Sequence, residues 1–271
     1  MTTDLDQRTD LATKPDLEEK YRIERAKWDA HAHHSHVGSL PEDLVVSPDL
    51  TFATYTRGKT LFSGMSEFLG SLDDREVLEY GCGLGELTVI LARSGARVTT
   101  FDISEASVEA ARTRVQANGV EDQVEFAVAS AEELPFPDGR FDLVVGKAIL
   151  HHLDPVLGPR ELARVMRPGG RAAFSEPMGT NPVLKFVRDH VPYPNKHERG
   201  ADRPLTSSDV KAWAVGFQEF NIQQVQLLSM VERAFGFRRK FKTLRRMDTI
   251  LLARIPYLRR FCRYAILTFV R

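Results

Sequence analysis

Cys82 and Cys262 are the only two cysteines among 271 residues, and they lie far apart in the sequence. That excludes a disulfide-stapled scaffold and leaves reduced thiols in a cytosolic compartment as the simplest reading. No apolar run approaches the roughly 18 to 20 residues that a bilayer-spanning helix requires. Residues 1–10 carry Asp4, Asp6 and Asp10 and no apolar stretch, so a secretory signal is not expected, and a soluble, cytoplasmic protein is. Net charge is missing as well, because 37 basic side chains balance 37 acidic ones. With 42% hydrophobic residues, the chain lacks the low hydrophobicity and high net charge that keep a polypeptide disordered. Its length suits one large domain or two small ones with a substantial core.

The zero net charge conceals an uneven distribution. From Arg238 to Arg271 there are 11 Arg or Lys and one acid, Asp248, which leaves 26 bases against 36 acids in the preceding 237 residues. A basic tail fits nucleic acid, an acidic membrane surface or the protein's own acidic body. Within it Leu244, Met247, Leu251 and Ile255 recur at helical spacing. That pattern suits a helix packed on the body, the preferred reading, with contact to a membrane surface as an added one.

Residues 17–36 read as a helix, and Gly38, Pro41 and Pro48 then interrupt the chain. Residues 55–72 read as a second helix, because Leu61, Phe62, Met65, Phe68, Leu69 and Leu72 recur every three or four residues. Residues 1–74 are therefore expected to form a helical extension, or lid. From residue 75 the pattern changes to short apolar runs at 77–80, 97–102, 124–129, 141–146 and 171–175, separated by helical segments. Ser104 caps the helix that runs to Asn118. Such alternation predicts a doubly wound, Rossmann-like α/β domain over residues 75–271. A Pro-rich stretch at 177–204 reads as a substrate-side insert and 238–262 as a basic helical insert, with the apolar run 264–270 returning as an edge strand.

The sharpest local signal is Glu79-Tyr80-Gly81-Cys82-Gly83-Leu84-Gly85, which follows a strand and opens a helix. Glycines let the backbone turn tightly against a ligand, and the helix start offers unpaired N–H groups. Asp102 ends the next strand, 17 residues after Gly85, where a carboxylate can accept both hydroxyls of a ribose. The spacing G-x-G-x-G differs from the G-x-G-x-x-G of dinucleotide sites. The neighbouring acid Glu79 would repel a pyrophosphate but suits a cationic ligand such as S-adenosylmethionine.

Through VLEYGCGLGELT, TTFDIS, SAEELPF, FDLVVGKAILHHL and ARVMRPGG, in that order between residues 77 and 176, the chain resembles the class I S-adenosylmethionine-dependent methyltransferases. The likeness is to their small-molecule branch, which includes the ubiquinone and menaquinone methyltransferases. It implies that Gly81 and Gly83 pass under the methionine part of the cofactor and that Glu79 reaches its ammonium. Asp102 would bind the ribose, with Ile103 packing on the adenine. Ser130, where the family often has an acid, would contact the adenine amino group beside the Ala131 backbone. Lys147 lies where the family's main chain approaches the methionine end, and its side chain is unusual there. Cys82 reads as a small slot-filler and Asp142 as a structural acid. His31, His33, His34 and His36 are spread around a helix, so no metal is expected.

Methyl transfer from a sulfonium is an in-line displacement, so alignment in a water-poor pocket is the protein's main task. An acceptor hydroxyl or amine also loses a proton, and histidine is the natural base near neutral pH. His151 is the first candidate for that role and Glu176 the second. Tyr21, Trp28, Tyr55, His152 and Tyr193 are candidates to line a pocket for a small, partly apolar acceptor such as a specialised metabolite, a quinone-like ring or a prenyl chain. O- or N-methylation is favoured over C-methylation of a prenyl, terpenoid or aromatic carbon. Three further readings stay open: a nicotinamide (NAD-type) oxidoreductase, a non-catalytic cofactor-binding module and a nucleic-acid methyltransferase. The last lacks the Asn/Asp-Pro-Pro-aromatic motif of amino-directed base methylation, and no nucleic-acid partner is expected. A homo-oligomer is left open.

Overall fold

The computed structural model describes residues 14–36, 41–57, 59–190, 203–235 and 241–271. Its strands are β1 (Glu76–Tyr80), β2 (Arg97–Asp102), β3 (Val124–Val128), β4 (Phe141–Lys147), β5 (Met166–Pro177), β6 (Glu219–Val225) and β7 (Tyr264–Val270). They form one sheet in the order β3-β2-β1-β4-β5-β7-β6. The first five strands pair in parallel, whereas β7 runs antiparallel to both β5 and β6. Because β1 neighbours both β2 and β4, the strand order reverses there, and a crevice opens beyond the carboxyl ends of these strands.

The inner strands are buried on both faces, successive side chains alternating between two cores, while β3 and β6 are partly exposed. Val77, Val145, Ala173 and Ile266 join one core with Ile90, and Leu78, Val144, Phe174 and Phe269 join the other with Trp213. The helices that cover them are α1 (Lys14–His36), α2 (Pro41–Leu44), α3 (Phe52–Thr56), α4 (Met65–Leu69), α5 (Glu86–Arg93), α6 (Glu105–Ala117), α7 (Leu157–Val165), α8 (Pro182–His190), α9 (Ser207–Trp213) and α10 (Lys242–Arg254). Ser104 is the N-cap of α6, accepting from Ser107 N. No described helix is long and apolar enough to cross a membrane.

Three expectations are corrected. The single helix over 55–72 is broken into α3, a 3-10 turn at Thr60–Phe62 and α4, because Gly64 and Gly70 adopt left-handed φ values of 76° and 78°. The short pieces still bury Phe62, Met65 and Leu69, so the three-and-four spacing reports burial without one continuous helix. Strand β7 is not an edge. Ala265, Ile266, Leu267 and Phe269 are buried on both faces, and the half-exposed β6 takes the outer position. The basic helix α10 does pack on the body, but through only part of its apolar stripe, Leu244 and Leu251 being half-buried. Met247 and Ile255 are exposed, and the anchor is buried Asp248, which accepts from the N–H groups of Leu227, Leu228 and Ser229 and from the Ser229 hydroxyl.

Candidate active site

The loop after β1 is built on three left-handed glycines, Gly81, Gly83 and Gly85. A Cβ at Gly85 would lie 2.7 Å from the Ala111 backbone, so only glycine lets α5 approach α6 here. At Gly81 a Cβ would press on Ile149 at 3.2 Å, closing the space above the loop. Asp102 ties the loop to the next turn, its two oxygens accepting from Gly83 N and Ser104 N, both at 3.1 Å. Burial pushes the Asp102 carboxyl up, and these backbone donors oppose the shift.

A cavity of about 360 Å³ opens over this loop. Glu79, Gly81, Gly83, Asp102, Ile103, Ser130, Ala131 and Lys147 all line it, as do Tyr21, Trp28, Tyr55 and His152. Tyr193 lies outside the described residues. Glu79 is fully buried, accepts from Thr88 Oγ1 at 2.6 Å and Thr100 Oγ1 at 2.9 Å, and meets no basic side chain among the described residues. Burial, with a smaller push from Asp102, raises its carboxyl to about 8 against the pull of the two threonines. A buried carboxyl on a cavity wall without a cation fits a ligand that brings one. Burial also pushes the Cys82 thiol well up, so it is no nucleophile.

His151 and Glu176 are not among the residues lining the cavity. Glu176 is buried inside β5. Its Oε1 accepts from Ile149 N at 2.8 Å and Leu150 N at 3.0 Å, and its Oε2 meets His151 Nδ1 at 2.8 Å. This corrects the expectation that Glu176 faces the acceptor: with its oxygens so engaged, it orients the 149–151 turn, which includes the ring of His151. The turn starts at Ala148, in a left-handed conformation with φ 53°. His152, one residue on, reaches the cavity wall and lies against His151, with ring centroids 4.1 Å apart and the planes tilted by 40°.

The N-terminal helix supplies two cavity residues that sequence reasoning missed, Lys20 and Glu24, beside Tyr21 and Trp28, which it named. Lys20, Tyr21, Glu24 and Trp28 all line the cavity from α1. Glu24 Oε2 accepts from Trp28 Nε1 at 3.0 Å and lies 3.6 Å from His152 Nδ1. Burial pushes the Glu24 carboxyl up, but His152, Lys27 and Trp28 outweigh it and hold the group below its ordinary value. Lys20 pairs with Glu132 at 3.1 Å, Asp29 accepts from Ser104 Oγ at 2.6 Å, and Arg25 Nε donates to Ile103 O at 3.2 Å. These contacts hold α1 across the Asp102 side of the crevice. The spacing of Lys20, Glu24 and Trp28 at i, i+4 and i+8 was the available signal, since it puts them on one helix face. Among the described residues no group of three or more His, Cys, Asp or Glu could hold a metal.

Residues 78–174 match the methyltransferase domain family. Methyltransferase GfsG of Streptomyces halstedii is 35% identical over 143 residues, which cover 52% of this chain and 50% of that protein. The 27-O-demethylrifamycin SV methyltransferase of Amycolatopsis mediterranei is 43% identical over 102 residues, covering 37% and 38%. The crystal structure of geranyl diphosphate C-methyltransferase from Streptomyces coelicolor, in complex with Mg2+, geranyl diphosphate and S-adenosyl-L-homocysteine, superposes with a TM-score of 0.56 at 17% identity, over 76% of this chain and 77% of that one. This chain spans about half the length of GfsG, and less of the rifamycin enzyme.

The sheet order, the glycine loop and the acid at the end of β2 define a class I methyltransferase fold. Residues 78–174 are a methyltransferase domain.

Proposed function

We propose that the whole chain transfers a methyl group to oxygen or nitrogen of a small, partly apolar organic acceptor. Bound S-adenosylmethionine supplies an electrophilic methyl on a sulfonium. Glu79 would face the cofactor's ammonium, Asp102 its ribose hydroxyls, Ile103 its adenine and Ser130 the adenine edge. The acceptor would lie between His152, Trp28, Tyr55 and Lys147, all on the cavity wall.

The observation that carries this reading is the doubled histidine and carboxylate arrangement at the wall. His152 stands beside Glu24, and behind it His151 is held by Glu176. A carboxylate beside Nδ1 stabilises an imidazole that has taken up a proton, as acceptor deprotonation requires. His152 is therefore the base in this reading, and His151, held by Glu176, positions it through the contact between their tilted rings. Helix α1 acts as the lid that excludes water. Residues 1–74 form the extension that carries it, and residues 75–271 the catalytic domain.

The test is to incubate the protein with S-adenosylmethionine and a panel of phenols, alcohols, amines and prenyl diphosphates, then read products by mass. One added methyl on an oxygen or nitrogen acceptor, lost in His152→Ala, is expected. Methylation confined to carbon acceptors would overturn the preference for heteroatoms. Intact cofactor binding with no methylated product from any class would favour a non-catalytic binding module.

A further inference from the structure

None of the described basic residues of the C-terminal region lines the cavity. Asp248, its one acid, is buried and engaged by backbone donors, and Arg245 is spent on buried Glu232. Lys242, Arg246, Arg254, Arg259 and Arg260 are exposed, and none meets a carboxylate among the described residues. Since Asp248 faces inward, the helical period puts Arg246, Ile250 and Arg254 on the opposite, outward side of α10.

Large apolar side chains stand among these cations. Ile250 is 50% exposed, Ile255 46% and Tyr257 65%, the last two at or beside the 3-10 turn Pro256–Phe261. Arg260 lies over the Tyr257 ring at 5.2 Å. Asn181, the residue before α8, donates to Phe261 O, and in α8 itself Val183 and Phe186 are exposed. The turn and α8 adjoin the junction where Pro177 at the end of β5 pairs with Tyr264 at the start of β7. This is the carboxyl end of β5, the end at which the crevice opens.

We propose that this basic and apolar face docks on an anionic lipid bilayer. A polyanion such as RNA would satisfy the cations but leave Ile250 and Ile255 in water. A bilayer surface takes both, the phosphates meeting the arginines and the acyl boundary the aliphatic groups. Docking there brings the acceptor side of the cavity toward the membrane, which suits an acceptor dissolved in lipid. The docking surface itself does not depend on the reaction proposed above.

The experiment is sedimentation of the full chain with vesicles of phosphatidylcholine alone or with about a quarter phosphatidylglycerol. Binding only to the anionic vesicles is expected, weakening as salt shortens the Debye length. The triple variant Arg246→Glu/Arg254→Glu/Arg260→Glu should lose about a hundredfold or more in partitioning. Ile250→Ser/Tyr257→Ser, with all charges kept, should lose about tenfold or more, given the apolar surface withdrawn. Calorimetry with S-adenosylhomocysteine shows that each variant remains folded, because none of these residues lines the cofactor cavity. Equal sedimentation with neutral lipid, no sedimentation, unchanged binding of either variant, or binding of an oligonucleotide in place of vesicles would each overturn the proposal.

Discussion

Glu79 offers the most quantitative test of the cofactor site. Burial pushes its carboxyl to about 8, from an ordinary value of 4.5. Near pH 7 only about a tenth of ligand-free molecules then carry the charge, and near pH 6 about a hundredth. If the ammonium of S-adenosylhomocysteine binds against the ionised form, complex formation releases a proton. Affinity should then rise about tenfold between pH 6 and 7, or ~1.4 kcal/mol, and level off above about 8. Stability of the ligand-free protein should move the opposite way. A carboxyl raised on folding contributes stability that is fully present below about 4.5 and is lost as pH climbs through about 8. Glu79→Gln removes both slopes: the ligand should bind with little pH dependence and more weakly at pH 8, while the empty protein should gain stability at that pH relative to the parent. Titration calorimetry in buffers of different ionisation enthalpy reads the released proton directly. Parent affinity that is flat from pH 6 to 8, or the same slope in Glu79→Gln, would refute the assignment of a cation to this carboxyl.

Three other outcomes are expected. Asp102→Ala should weaken cofactor affinity by about 1.5 to 3 kcal/mol, the range for hydrogen bonds to a charged group, and an isotherm matching the parent would remove the ribose assignment. Gly85→Ala should lower stability by about 1 to 3 kcal/mol or more, measured as a fall in the denaturation midpoint, because its Cβ meets the Ala111 backbone in a left-handed turn. Glu24→Gln should lower kcat and lower the pH at which activity appears, since the imidazole loses the anion that favours its protonated form, while leaving cofactor affinity nearly unchanged. A variant that loses only cofactor affinity would make Glu24 a support for α1 and not for His152.

The parallel strands and the glycine loop were legible because their signals are local: Gly81, Gly83 and Gly85 must be glycine to take their turns, and Asp102 follows at a fixed strand-helix-strand distance. Positions set by distant parts of the chain were not legible. Residues 264–270 look alike in sequence whether they lie at an edge or inside a sheet, and only the pairing of β6 decides it. His151 and His152 are adjacent, so their residue type could not say which reaches the cavity. The buried Glu176 settles that by holding the first. Asp248 reads as one acid in a basic tail, yet its four donors come from residues 227–229, about twenty positions away.

Because α1 both bridges the Asp102 side of the crevice and delivers Glu24 to His152, two events are mechanically joined. On the proposed reading, any displacement of the helix that widens the nucleoside pocket would also take the carboxylate from the imidazole. Nucleoside exchange and the readiness of the proposed proton acceptor would then be governed by the seating of one helix.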